Sequence, residues 1–177
     1  LFSMGNGIVN SFLVLLGESS KIAQISLFFS VNAIVLFVLR LLVGKVIDRA
    51  KVLFIVNLSL LAGASSMILI GKSGILVPIL IAAAIKAFGN VGGQISLQSA
   101  CVKRVDAARI GVATSTYYIG ADIGQGLGPI WGGKVAEQFG YEGVFFCMAG
   151  FFLLGVICFT AYQLHLNRKT ASETVIQ

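Results

Sequence analysis

Charge is scarce in this chain. Its 177 residues include 13 Lys and Arg, 7 Asp and Glu and a single His, so that charged residues make up 11% of the whole. Soluble domains average roughly 25%, and so little charge cannot coat a water-exposed surface. An ordinary soluble globular domain is therefore excluded. Cysteine occurs three times, and Cys101, Cys147 and Cys158 show neither a disulfide framework nor metal-ligand spacing. They are expected to be buried small hydrophobes. The lone His165 lies at the end of the last apolar run, away from the acids, which leaves no Ser-His-Asp arrangement. The glycine clusters GNVGG and GQGLGPIWGG sit inside apolar runs and no GK[ST] follows them, so they make no nucleotide site. The net charge of +6 does not gather into a patch interleaved with aromatics, which argues against nucleic acid. No enzyme, metal or cofactor is expected.

What the chain does contain is apolar length. Hydrophobic residues make up 57% of it and glycine occurs 21 times, as expected where membrane helices pack closely. Six apolar runs cover about 1–16, 22–44, 51–71, 75–100, 108–133 and 143–164. Most reach the 18 or more residues needed to span a roughly 30 Å hydrocarbon core. The expected fold is an all-α, polytopic membrane protein of six transmembrane helices, with the lipid bilayer as its first partner. No methionine starts the chain, and no charged stretch precedes the first run as a signal peptide would require. The expectation is that an upstream part is missing and that the first helix is clipped.

The basic residues orient these runs. Arg40, Lys45, Arg49, Lys51, Lys103, Arg104, Arg109, Arg168 and Lys169 fall on one side of the membrane, against Lys21, Lys72 and Lys134 on the other. Lys and Arg favour the cytoplasmic side, so the second-to-third and fourth-to-fifth turns and the C-terminus are expected in the cytoplasm. Trp131 and Tyr141 then fall toward the outer interface.

Two charges lie at membrane depth. At about 1.5 Å per residue, Lys86 and Asp122 both come near the midplane, where an ionisable residue is costly and marks a substrate or ion pathway. Asn90, Gln94 and Gln98 follow Lys86 at intervals of four, which keeps them on one broad helix face. Ser115, Tyr118, Asp122 and Gln125 share a face of the next run. If the two stripes border one cavity, Asp122 and Lys86 would pair, and a proton or a charged substrate would compete for either. The alternative is a structural pair that only ties two helices together. Gly120, Gly124, Gly128 and Gly132 recur every fourth residue and read as packing or hinge positions. Pro129 removes one backbone hydrogen bond and is expected to kink the helix.

One turn is more specific. RLLVGKVIDRAK places Arg40, Gly44, Asp48 and Arg49 in a pattern that resembles the RxxxGxxxDR signature of the major facilitator superfamily, found at the cytoplasmic turn after the second helix of each six-helix half. The stretch STYYIGADIGQGLGPIWGG is similar to a fifth-helix pattern of that family, with its aromatic pair, acid and GxGxGP. It also resembles the glycine-proline signature of proton-coupled antiporters. The glycine and basic cluster that often follow the DR pair are reduced here to Ala50-Lys51. The resemblance implies that residues 1–177 are the C-terminal six-helix half, helices seven to twelve, of a twelve-helix transporter of the plasma (bacterial inner) membrane, and that the N-terminal half is the missing partner. It implies alternating access, with two halves rocking about a midplane site. Asn6, Asn10, Asn32, Lys86 to Gln98 and Tyr118 to Gln125 would border the cavity, and Arg40, Gly44, Asp48 and Arg49 would control the rocking. The expected function is proton-coupled efflux of drugs or small metabolites, with Asp122 as the proton-sensitive carboxylate. The alternatives are proton-coupled uptake of a small organic anion, which Lys86 would favour, and a non-transporting membrane scaffold or subunit.

Overall fold

The computed structural model describes residues 1–22, 24–47, 52–103 and 105–174, with side chains for 1–22, 24–42, 52–103 and 105–165. Every element in it is helical: α1 (Phe2–Ser19), α2 (Leu27–Ile47), α3 (Val52–Lys72), α4 (Leu76–Val102) and α5 (Ile110–Thr174), the last preceded by a single 3₁₀ turn, Ala107–Arg109. Helices suit an apolar solvent because each satisfies its own backbone N–H and C=O groups. Among the described residues, three stretches are long and apolar enough to cross a membrane: Val52–Lys72, Leu76–Val102 and the 59 residues of Ala107–His165. Leu27–Leu42 is apolar but shorter, and α1 is diluted by Asn6 and Asn10.

The ends of the helices follow from local chemistry. The α1 helix stops at the polar GESSK turn, where Ser19 Oγ and Ser20 N both donate to the Leu16 carbonyl at 2.9 Å. Lys21 and Gln24 then take positive φ values of 54° and 61°, which turn the chain toward α2. Pro78 lies in the first turn of α4, where its missing N–H has no intrahelical partner to lose.

Six separate helices were expected, and the described residues form five helical elements. The turn foreseen around residues 137–143 is absorbed into α5, whose one non-helical residue is Gly140, with φ 71° and ψ 177°. Only glycine adopts that backbone region readily. A straight helix would separate Trp131 from Phe151 by about 30 Å, yet their rings meet edge to face at 5.0 Å. The chain therefore folds back at Gly140, and residues 110–139 and 141–174 form two arms lying side by side. Pro129 leaves the backbone helical. The reversal of the chain falls instead at Gly140, inside the expected turn, because the glycine has the necessary φ.

A Cβ on Gly140 would meet nothing within 4 Å, so Gly140→Ala costs conformational strain alone. We expect a loss of about 1–3 kcal/mol, measurable as a lower unfolding midpoint in detergent. An unchanged midpoint would show that the fold-back does not depend on this residue.

The core lies between α1, α3, α4 and the second arm of α5. Ile8, Val9 and Leu13 of α1, Met67 and Ile70 of α3, Ile79, Ala82 and Ala83 of α4, and Val144, Phe145 and Met148 of the second arm are all at or near zero exposure. The α2 helix packs chiefly on α4, and the first arm of α5 leans on α1, so both are left largely exposed. Between residues 110 and 139 only Gly128 and Gly132 are buried. The cysteines are free, and their burial departs from expectation: Cys147 is half-buried, and Cys101 and Cys158 are exposed. In a membrane protein the outward faces are as apolar as the core, so hydrophobic character did not decide which way they point.

Candidate functional site

Two amides of the helix interior, Asn6 and Asn90, cluster with one ammonium group. Lys86, halfway along α4, is 7% exposed, and its Nζ donates to Asn6 Oδ1 of α1 at 2.6 Å. Asn6 Nδ2 in turn donates to Asn90 Oδ1 at 3.3 Å, one turn along α4 from Lys86. A cation thus ends a short chain of two neutral amides where α1 meets α4. Beside it lies a cavity of only about 10 Å³, walled by Phe2, Met67 and Phe152 and bounded by the bare backbones of Gly5 and Gly63. Among the described residues, none that lines this cavity is acidic.

The expected pairing of Lys86 with Asp122 is not made. Lys86 is buried against Asn6, whereas Asp122 is exposed on the first arm of α5. The reason lies in the rotation of that arm. A Cβ on Gly128 would come within 2.7 Å of the Met4 carbonyl oxygen, and one on Gly132 within 2.6 Å of the Phe12 ring, so these two glycines face α1. Gly124 looks the same way more loosely, 3.6 Å from the Met4 nitrogen by the same measure. Asp122 lies about 160° around the helix from Gly124, and close packing of the glycines turns the carboxylate outward. A Cβ on Gly120, the first of the ladder, would meet nothing within 4 Å, and the residue borders an open groove of about 310 Å³ shared with Ser3, Leu97 and Tyr117.

The remaining candidates are spread over several contacts. Tyr117 Oη donates to the Gln94 carbonyl at 3.1 Å, and Gln98 Nε2 donates to Tyr118 Oη at 3.3 Å, so two short links join α4 to the first arm. Asn32 holds α2 to α4 through the Ala83 carbonyl at 3.0 Å. Asn57 of α3 donates to Thr160 Oγ1 at 2.8 Å and ties α3 to the second arm. Asn10, Ser115 and Gln125 are exposed, as is Arg40. Gly44 lies within α2, its surroundings beyond the described side chains, and Asp48 and Arg49 lie outside the described residues.

The exposure of Asp122 has a physical consequence. It belongs to an apolar run long enough to cross a membrane, and a carboxylate facing lipid there costs at least about 2.5–3.5 kcal/mol. Tyr118 and Gln125 share its helix face and are also exposed. A face of this kind suits contact with protein or with a water-filled path better than contact with lipid.

Sequence reasoning placed Lys86 and Asn90 correctly on one helix face and named Asn6 only as a cavity residue. Asn6 lies 80 positions from Lys86, and nothing local signals the contact. The available clue was an asparagine in an apolar run, in need of a buried hydrogen-bond partner.

The Major Facilitator Superfamily profile covers residues 1–175. No curated protein and no solved structure matches the chain.

Proposed function

The chain belongs to the major facilitator superfamily, a family of membrane transporters, and from that premise we propose that it is the C-terminal half of a twelve-helix secondary transporter driven by protons. In this reading it works by alternating access and exports drugs or small metabolites. Asp122 is the proton-sensitive carboxylate, and its face of α5 borders the path between this half and an N-terminal half. Arg40, Gly44, Asp48 and Arg49 form the turn that controls rocking. The protein lies in the plasma membrane with its C-terminus in the cytoplasm, as the Lys and Arg distribution favours.

The observation that carries the reading is the placement of Asp122, exposed at membrane depth beside Tyr118 and Gln125. A carboxylate that can meet water or a proton in one conformation and a partner surface in another is suited to coupling. A scaffold would have no use for a costly acid at that depth.

The test is transport by the full-length protein in vesicles under an imposed pH gradient. Asp122→Asn is expected to reduce proton-driven flux at least about tenfold, the scale of a general proton-transfer role, while exchange of labelled for unlabelled substrate persists. Undiminished proton-driven flux in Asp122→Asn would sink the assignment, and the direction of flux distinguishes export from uptake.

A further inference from the structure

The buried lysine is short of partners. An ammonium group has three N–H donors, and among the described residues Lys86 is bonded to one acceptor, the neutral amide of Asn6. Asn90 is engaged with Asn6 rather than with the lysine. Neither amide neutralises the charge, and burying an unneutralised charge is costly. An anion at this point would supply what is missing, through charge-assisted hydrogen bonds stronger than those of a neutral acceptor. The walls beside it are apolar, Phe2, Phe152 and Met67, with the Phe152 ring closely packed against Gly5 and Gly63, so an organic anion enters only as these elements move apart.

We propose that Lys86, Asn6 and Asn90 form the subsite for a carboxylate group of the transported molecule, and that the Asn6 amide oxygen holds the place of that carboxylate while the site is empty. The inference names a substrate class for the transporter and rests on that reading. It also links binding to movement. Asn6 rides on α1, whereas Lys86 and Asn90 ride on α4. The α1 helix packs mainly against α5 and only lightly against α4, so the amide cluster is the principal polar tie between α1 and α4. A carboxylate that takes the ammonium from Asn6 removes the charged half of this tie and leaves only the neutral Asn6–Asn90 bond to hold α1 to α4 with the substrate bound.

The experiment follows thermal unfolding of the full-length protein in lipid nanodiscs, at constant ionic strength, with benzoate or with benzamide, its uncharged isostere. Benzoate should raise the unfolding midpoint and benzamide should not. Lys86→Gln should weaken the response to benzoate by about tenfold or more, the scale of one charge-assisted bond, and Lys86→Arg should largely retain it. Asn6→Asp sets a carboxylate of the chain's own against the ammonium and should abolish the response although the lysine remains. Equal responses to the two probes, no response to benzoate in the unaltered protein, or a response that survives either Lys86→Gln or Asn6→Asp would overturn the proposal. If Lys86→Gln fails to fold, Asn6→Asp decides alone. Binding is read without a gradient, so the two readings fail separately. A protein that binds benzoate in this way but moves no substrate keeps the subsite and loses the transport assignment, and the converse result loses only the subsite.

Discussion

Gly7→Val is expected to destabilise the bundle by about 3 kcal/mol, the upper part of the range for forcing bulk into a packed core. The cause is an approach of two backbones. Pro129 has no N–H, so the carbonyl of Gln125, four residues earlier, lacks its normal intrahelical donor. The structure sets the bare Cα of Gly7 directly against that carbonyl, and a Cβ there would overlap the oxygen. Met4 and Gly128 make the reciprocal approach, with a Cβ on Gly128 only 2.7 Å from the Met4 oxygen. Such close backbone pairs allow weak Cα–H···O contacts, and without a hydrophobic driving force between helices, close packing is a main source of association. A valine at position 7 cannot be absorbed by a side-chain rotation, because what it meets is backbone. The control is Gly126→Ala on the same arm, where a Cβ meets nothing within 4 Å and helix propensity favours alanine by up to about 1 kcal/mol. Denaturant titration of both variants in detergent checks the pair. Equal stabilities would mean that α1 and α5 do not touch as described.

Asn6→Ala is expected to cost about 2–3 kcal/mol, the range for losing a hydrogen bond to a charged group, because it strips the Lys86 ammonium of its bonded acceptor. Lys86→Met alone should be milder. It removes the charge together with the need to solvate it, and it leaves the Asn6–Asn90 hydrogen bond in place. The asymmetry follows from a buried unpaired charge being far costlier than a buried unpaired amide. Adding Lys86→Met to Asn6→Ala should therefore recover much of the lost stability, with a coupling of about 2 kcal/mol in the four-member cycle. Simple additivity of the two changes would show that Asn6 and Lys86 are not an energetic unit and would remove the basis for treating them as one site.

These two predictions involve contacts that differ in how readable they were. The glycine ladder was legible as a place of close packing, because small residues at every fourth position lie along one helix face. Its partner, α1, was not legible, and neither was the absence of any contact at Gly120. The charges at Lys86 and Asp122 were legible as exceptions in apolar runs. Their pairing was inferred from opposite sign and similar depth, and it failed because depth says nothing about rotation. The turn near residue 140 was expected, but its form was not: a single glycine with positive φ joins two arms of one helical run.

Composition, run length and one local motif were enough to establish an all-helical membrane protein and to point to its family. Lipid requires every backbone group to be satisfied within its own segment, so a long apolar run already dictates a helix, and the Arg40-to-Arg49 pattern is contiguous. Which way each helix faces is not encoded in that manner. In water an apolar stripe tells a helix which side to bury, but in lipid the outward side is equally apolar and the stripe is absent. Rotation is then set by contacts with other helices: glycine against backbone at Gly7 and Gly128, and amide against ammonium at Asn6 and Lys86. Those contacts turn Asp122 outward and enclose Lys86, and the tertiary structure was needed to find them.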